Sequence, residues 1–297
     1  MIMQMRKAVR ARVYKFDATG EISAGPDSLA GEEPLEIQLN GEQYTVTMRT
    51  AGHDVELIAG YLLSEAVVTA MDDIEEVNFS AGIAPDSTRN FNVARVRLRP
   101  GVWNPEAAPA RNVYTSSSCG ICGTAAADAV TKTSAFPLIP AAFHVEDQGE
   151  YEFPQLLSAA RIGELPDRLR ETQEIFDKTG GVHAAALFAV GDDPDAEPEL
   201  LVGREDVGRH NAVDKVIGWA MANHKNGLPL RSTVLQVSAR ASFELVQKCA
   251  MAGIPMMSAV SAPSAMAVEY GREVGVTVIG FNRKGKFNAY SYPERVA

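Results

Sequence analysis

Cysteine is scarce: the chain has three in 297 residues. An odd, small number builds no disulfide framework and fits a reducing compartment. A surplus of positive charge is missing too, since 28 Lys and Arg stand against 38 Asp and Glu, for a formal net charge of -10. That argues against the broad basic footprint of nonspecific nucleic-acid binding, though not against an anionic small ligand held by local cations. No stretch approaches the roughly 18 uninterrupted apolar residues of a membrane span. The opening MIMQMRKAVRARVYKFDATG has no apolar run of the kind a secretory signal needs. A soluble, cytoplasmic protein with no nucleic-acid or membrane partner is therefore expected. There is no internal repeat and no low-complexity tract. What is present, 46% hydrophobic and 22% charged residues, supplies core enough for one large domain or two modest ones.

Alternation of apolar and polar residues on both sides of Asn40-Gly41 in PLEIQLNGEQYTVTMRT predicts a β-hairpin. Val55, Ile58, Ala59, Leu62 and Leu63 then recur at helical spacing. IEEVNFS and NFNVARVRLRP read as strands, and Pro100, Pro105 and Pro109 mark a linker. Residues 1–112 are thus expected to form a smaller β-rich domain with one main helix. In residues 113–297, an alanine-rich segment, TAAADAVTKT, predicts a short helix. One or two helices broken near Pro166 are expected over 153–177. Strands and helices alternate thereafter, and the strands VHAAALFAV, STVLQVS, IPMMSAVS and VTVIGFN are continuously apolar. That pattern predicts an α/β domain with a mostly parallel sheet covered by helices on both faces.

Two of the three cysteines sit in TSSSCGICGTAAADAV, as Cys119 and Cys122. Gly120 and Gly123 flank the second thiol, and Thr124 can cap the helix that follows. A thiol at such a helix N-terminus on a bare loop is favoured as thiolate and is a competent nucleophile. Structural zinc wants four N/S ligands, usually two such pairs, and this chain has one pair. Cys249 fits the apolar face of a helix and reads as core. A thioredoxin-like dithiol would follow a strand, whereas RNVYTSSS is a weak approach to one. Two buried structural cysteines are the plainest alternative, and composition alone leaves these readings open.

Other polar chemistry is clustered. His183 follows two glycines at a strand start, a position that is usually structural. GREDVGRHNAVDKVIG packs Arg204, Glu205, Asp206, Arg209 and His210 between a strand and a helix, where open α/β sheets bind ligands. Its Gly203-to-Gly208 spacing is a poor phosphate loop, because Arg209-His210 stand where Lys and Ser/Thr belong. Asn211 is expected to cap the helix with Asp214 at the reciprocal position. Ser261 or Ser264 is expected to cap the helix SAMAVEYGREVG. Arg283, Lys284 and Lys286 surround Gly285 near Phe281, Phe287 and Tyr290, a set suited to phosphates and a stacked heterocycle as well as to a solvated turn.

Taken together, SSSCGICG, GGVHAAAL, GREDVGRHNAVDKVIG, ASFELVQKCAMAGIPMMSAVSAP, GFNRKGKFNAY and RTAGHDVELIAGYLLSEAVV resemble the FdhD/NarQ family of formate dehydrogenase accessory sulfurtransferases. The likeness runs from about residue 35 to 292 in matching order. It departs at Ala51, where Pro is common, and at Ala66, where Gly is usual. The resemblance implies a cytidine deaminase-like core and a homodimer. It also implies a persulfide carrier that takes sulfur from a cysteine desulfurase and passes it to the molybdenum of the bis-molybdopterin guanine dinucleotide (Mo-bisMGD) cofactor of formate dehydrogenase. By position, Cys119 would carry the persulfide with Cys122 as partner, and Phe281, Asn282, Arg283, Lys284, Gly285 and Lys286 would bind the cofactor. No tightly bound metal of the protein's own is implied. A deaminase would need H-x-E ahead of P-C-x-x-C. Ala185 stands where the Glu would follow His183, His144-Val145-Glu146 comes after the cysteine pair, and Ser118 replaces the Pro. A non-catalytic chaperone for the molybdenum cofactor is the other rival, and the cysteine pair is what separates it from a sulfurtransferase.

Overall fold

A computed structural model of the chain describes residues 7–83, 89–104, 132–139 and 153–297. Cys119, Cys122, the alanine-rich segment after them, His144 to Glu146 and the expected domain boundary at 112/113 lie outside the described residues.

The first elements are an antiparallel ribbon, β1 (Ala8–Phe16) with β2 (Ile22–Ala30). A four-stranded sheet of order β4-β3-β6-β5 follows, built from β3 (Glu33–Leu39), β4 (Glu42–Arg49), β5 (Ile74–Ile83) and β6 (Arg89–Leu98). Asn40 and Gly41 both take positive φ, 49° and 95°, so the predicted hairpin closes through a two-residue turn that matches strand twist. Helix α1 (Asp54–Ser64) comes next in the chain after β4. The corner into it is tied by buried Arg49, whose guanidinium donates to both oxygens of Asp54 at 3.1 and 3.2 Å and to Asn92 at 3.0 Å.

After residue 153 come α2 (Ala159–Arg170), α3 (Glu174–Thr179), β7 (His183–Ala189), β8 (Glu199–Asp206) and α4 (Arg209–Asn223). They are followed by β9 (Thr233–Val237), α5 (Phe243–Ala252), β10 (Met256–Ala259), α6 (Ala265–Val274), β11 (Thr277–Arg283) and β12 (Lys286–Ala289). The sheet order is β12-β11-β10-β9-β7-β8. Here the expectation of a mostly parallel sheet is corrected: β9, β10 and β11 are parallel, but β7 runs against both β8 and β9, and β12 runs against β11. Two of the connections, β7–β8 and β11–β12, are hairpins, which need no helical crossover. The strands stay continuously apolar because both faces are covered. Ala185, Leu187, Leu235, Val237 and Met257 join the core under α1, α4, α5 and α6, while Ala184, Ala186, Phe188, Val234 and Met256 join a second core under α2.

Helix α2 runs through Pro166 instead of breaking there; the break comes at residues 171–173. Proline removes the N–H that would bond the carbonyl four residues back, Ile162 O. The buried Asn282 side chain replaces it, donating to Ile162 O at 2.7 Å and to Ser258 Oγ at 2.9 Å.

The two sheets share one core, because α1 and α4 cross backbone to backbone. A methyl group added at Gly60 would lie 1.9 Å from Asp214 O, and one at Gly218 would lie 1.9 Å from Glu56 O. Neither helix can yield without opening that core. Gly218→Ala is therefore expected to cost about 3 kcal/mol in chemical denaturation. A loss below about 0.5 kcal/mol, the range of surface substitutions, would show that the helices separate freely.

Candidate functional site

Four strands of the six-stranded sheet, β8, β9, β10 and β11, point their carboxyl ends to one edge, and reversed β7 begins there with His183. Such an edge is where open α/β sheets take ligands. Its two ends differ.

At the β11 end the chain is shaped by small residues. A methyl group at Gly280 would lie 2.8 Å from Pro263 Cδ and 3.2 Å from Ser261 O, so only glycine lets β11 pass the loop before α6. The register then shifts between Gly280 and Arg283, and Phe281 takes φ 55° while its N–H donates to Ser261 O at 3.1 Å. Lys284 and Gly285, φ 53° and 69°, make the two-residue turn into β12. The turn is therefore the hairpin the sequence allowed. It also forms a recess of about 360 Å³ lined by Phe281, Arg283, Lys284, Lys286, Phe287 and Asn288. The Arg283 guanidinium lies 5.9 Å from the Phe281 ring centre. No carboxylate among the described residues pairs with Arg283, Lys284 or Lys286. Of the six residues carried over from the family, four line this recess. Gly285 makes the turn, and Asn282 is buried behind it, bonded to α2. Asn288 was not anticipated, and nothing in its local sequence singled it out.

The β8 end is a network of paired charges. Arg204 holds Glu56 of α1 in a two-pronged pair at 2.6 and 2.8 Å. Burial works against the Glu56 carboxylate, but Arg204 and His53 bring it down to about 2. Glu205 accepts from the N–H groups of Ile175 and Phe176, both at 2.8 Å. Asp206 is fully buried against Lys215 at 2.7 Å, and burial pushes its pKa up against that cation. Asn211 does not cap α4, whose first residue is Arg209. Its amide donates to Met48 O at 2.7 Å and Asp206 at 3.2 Å. Asp214 is likewise no cap; it accepts from Lys248 at 2.7 Å and Ser64 at 3.0 Å inside the core. His210 Nε2 lies 3.2 Å from Glu244, and this hydrogen bond, against the effect of burial, brings Glu244 to about 2. Half-buried His183 is held below the ordinary histidine value by burial and then by the nearby Arg209 and His210 charges. The Arg204–His210 stretch thus serves mainly to lock β8 to α1, α3 and α4. Ser264 does cap α6, its Oγ accepting from Ala267 N at 3.2 Å.

Cys249 is fully buried, with its thiol pushed up by burial, as the core reading expected. Among the described residues no three His, Cys, Asp or Glu side chains converge to hold a metal ion, and no helix is long and apolar enough to cross a membrane.

Fold and recess together define a mixed α/β protein with a cationic, aromatic-flanked recess at a strand-end hairpin. Comparison with known proteins narrows that class. The model of the FdhD/NarQ family matches residues 30–297, and the chain belongs to that family. It is 47% identical over 292 residues to a sulfur carrier protein FdhD of Mycolicibacterium paratuberculosis, covering 98% of this chain and 100% of that one. It is 45% identical over 296 residues to one of Streptomyces coelicolor, with 100% and 96% covered. A relative of the same name in the archaeon Sulfolobus acidocaldarius is 36% identical, with 99% of each chain covered. Among solved structures, a formate dehydrogenase accessory protein from Desulfotalea psychrophila shares the fold, with a TM-score of 0.67 at 20% identity over 98% of this chain and 100% of that one.

Proposed function

We propose that the protein is a sulfurtransferase of formate dehydrogenase maturation. In this reading it accepts sulfur from a cysteine desulfurase as a persulfide on Cys119 and delivers it to the molybdenum of Mo-bisMGD, bound as substrate. The observation that carries the ligand half is the hairpin recess. Three cations without a carboxylate partner among the described residues, in a chain of net charge -10, line it together with Phe281 and Phe287. Phosphates suit the first and a flat heterocycle the second, so the residues present fit a guanine diphosphate. The sulfur half rests on the cysteine pair and on the name that the relatives carry. A thiolate of Cys122 attacking Cys119 Sγ would form a disulfide and release the outer sulfur as hydrosulfide, which balances atoms and charge. The strand order β8-β7-β9-β10-β11, with β7 reversed, is read as the cytidine deaminase-like core that the resemblance implies. A homodimer remains part of the proposal.

The recess is tested by reversing its charge. Arg283→Glu with Lys284→Glu is expected to weaken GDP binding at least tenfold by calorimetry, about 1.4 kcal/mol. The residual binding should depend less on salt. Unchanged affinity would move the nucleotide away from the hairpin.

A further inference from the structure

Ten arginines lie in residues 153–297. Arg161, Arg168, Arg170 and Arg204 pair with carboxylates. Arg231, Arg272 and Arg295 donate to backbone carbonyls. Three are left with no hydrogen-bond or ionic partner among the described residues: Arg209, Arg240 and Arg283. All three fall on the carboxyl edge of the six-stranded sheet, after β8, after β9 and at the end of β11. Within residues 153–297, the three guanidiniums without such a partner are thus gathered along one edge of the sheet.

Arg283 belongs to the hairpin recess. Arg209 and Arg240 do not, since β9 and β8 lie two and four strands away from β11. At a strand spacing of about 4.8 Å the edge from β11 to β8 covers about 19 Å. His183 sits between the two arginines, directly opposite Asp206 in the β7–β8 register. Its ring, too, has no hydrogen-bond partner among the described residues. The acidic groups at this end are already engaged: Asp206 by Lys215, Asp214 by Lys248, and Glu244 by His210. What remains available is cationic or hydrogen-bonding.

We propose that Arg209, Arg240 and His183 form a second oxyanion subsite, one that takes a phosphoryl group and is separate from the hairpin recess. The subsite stands on the unpaired side chains alone. Its use by a second phosphate-bearing part of the same extended substrate rests on the function proposed above. Paired guanidiniums with an adjacent imidazole are suited to phosphate, since they supply planar donor forks and a further N–H.

The test uses inorganic pyrophosphate and, separately, GDP, titrated calorimetrically into the full chain at fixed ionic strength. Pyrophosphate is expected to bind at two sites per chain. Arg209→Gln with Arg240→Gln should remove one of them, at least tenfold in affinity, and leave GDP at the hairpin within twofold. Charge reversal at Arg283 and Lys284 should remove the other. In NMR titrations, pyrophosphate should raise the His183 pKa in the wild type, because a nearby anion favours the imidazolium. It should leave it unmoved in the Arg209/Arg240 variant, whose thermal midpoint is measured alongside. A single pyrophosphate site lost on hairpin reversal, or two sites surviving the Arg209/Arg240 change, overturns the proposal. Failure of the hairpin variant to affect GDP, with the Arg209/Arg240 effect intact, would count against the proposed nucleotide site and not against this one.

Discussion

Replacing Cys119 with alanine is expected to abolish maturation of formate dehydrogenase while GDP affinity stays within twofold of wild type. The expectation separates two kinds of protein that the hairpin recess serves equally well. A chaperone needs only to hold the cofactor and present it, and one small side chain far along the chain from residues 281–286 would be dispensable. A sulfur carrier needs a thiolate that forms a persulfide, and alanine has no atom to bear it. The change from thiol to methyl is small, so a folded, nucleotide-binding and inactive variant assigns the loss to chemistry. Cys122→Ala is expected to be less damaging, because in the proposed route Cys122 would act on a sulfur that Cys119 already holds. Formate dehydrogenase activity restored fully by the Cys119→Ala chain would establish the chaperone instead. Equal loss in both variants would make the two thiols one unit.

The second large effect is on stability. Lys248→Met is expected to cost about 3–5 kcal/mol near neutral pH, because it leaves the Asp214 carboxylate buried without its cation. Asp214 lies where α1, α4 and α5 meet, bonded to Ser64 on one helix and Lys248 on another. Burial already pushes its pKa up, and Lys248 is the main group holding it down. Without the lysine that upward push is unopposed. A group whose folded pKa exceeds its unfolded value stabilises the fold at low pH and loses that contribution as pH rises through the folded pKa. The deficit of Lys248→Met relative to wild type should therefore shrink on acidification, as Asp214 takes up a proton and needs no counter-charge. Denaturation at several pH values checks this. A deficit that is constant, or grows toward acid, would mean that Asp214 is not the group left uncompensated.

Much of this architecture was legible because it rests on short-range periodicity. Asn40-Gly41 between alternating strands, the 3.6-residue spacing of α1, and the strand–helix alternation after residue 183 all appear where the sequence pattern places them. Strand direction was not legible. An apolar run such as HAAALFA reads alike whether its neighbours are parallel or antiparallel, and the reversal of β7 is decided by pairing with β9, some 50 residues on. The helix through Pro166 was hidden for a similar reason: the donor that makes it tolerable, Asn282, comes from β11. Asn211 and Asp214 follow a local capping pattern, yet both are recruited by long-range partners, Met48 and Lys248. The β1–β2 ribbon was obscured by its second strand, ISAGPDSLA, where Gly25 and Pro26 interrupt a pattern that Val9, Ala11 and Val13 alternating with Arg10, Arg12 and Tyr14 keep in the first. At the candidate site the hairpin cations stood out in an acidic chain. The unmatched state of Arg209 and Arg240 emerges only in space, where Arg161, Arg168, Arg170 and Arg204 meet carboxylates and these two do not.

The central claim is that one thiol carries sulfur in transit. The direct measurement is to incubate the protein with a cysteine desulfurase and cysteine, digest it without reductant, and weigh the peptide that contains Cys119. The account predicts one additional sulfur on that residue, lost on treatment with dithiothreitol and absent when desulfurase is omitted. An unmodified Cys119 peptide under conditions where the desulfurase itself bears a persulfide would contradict it.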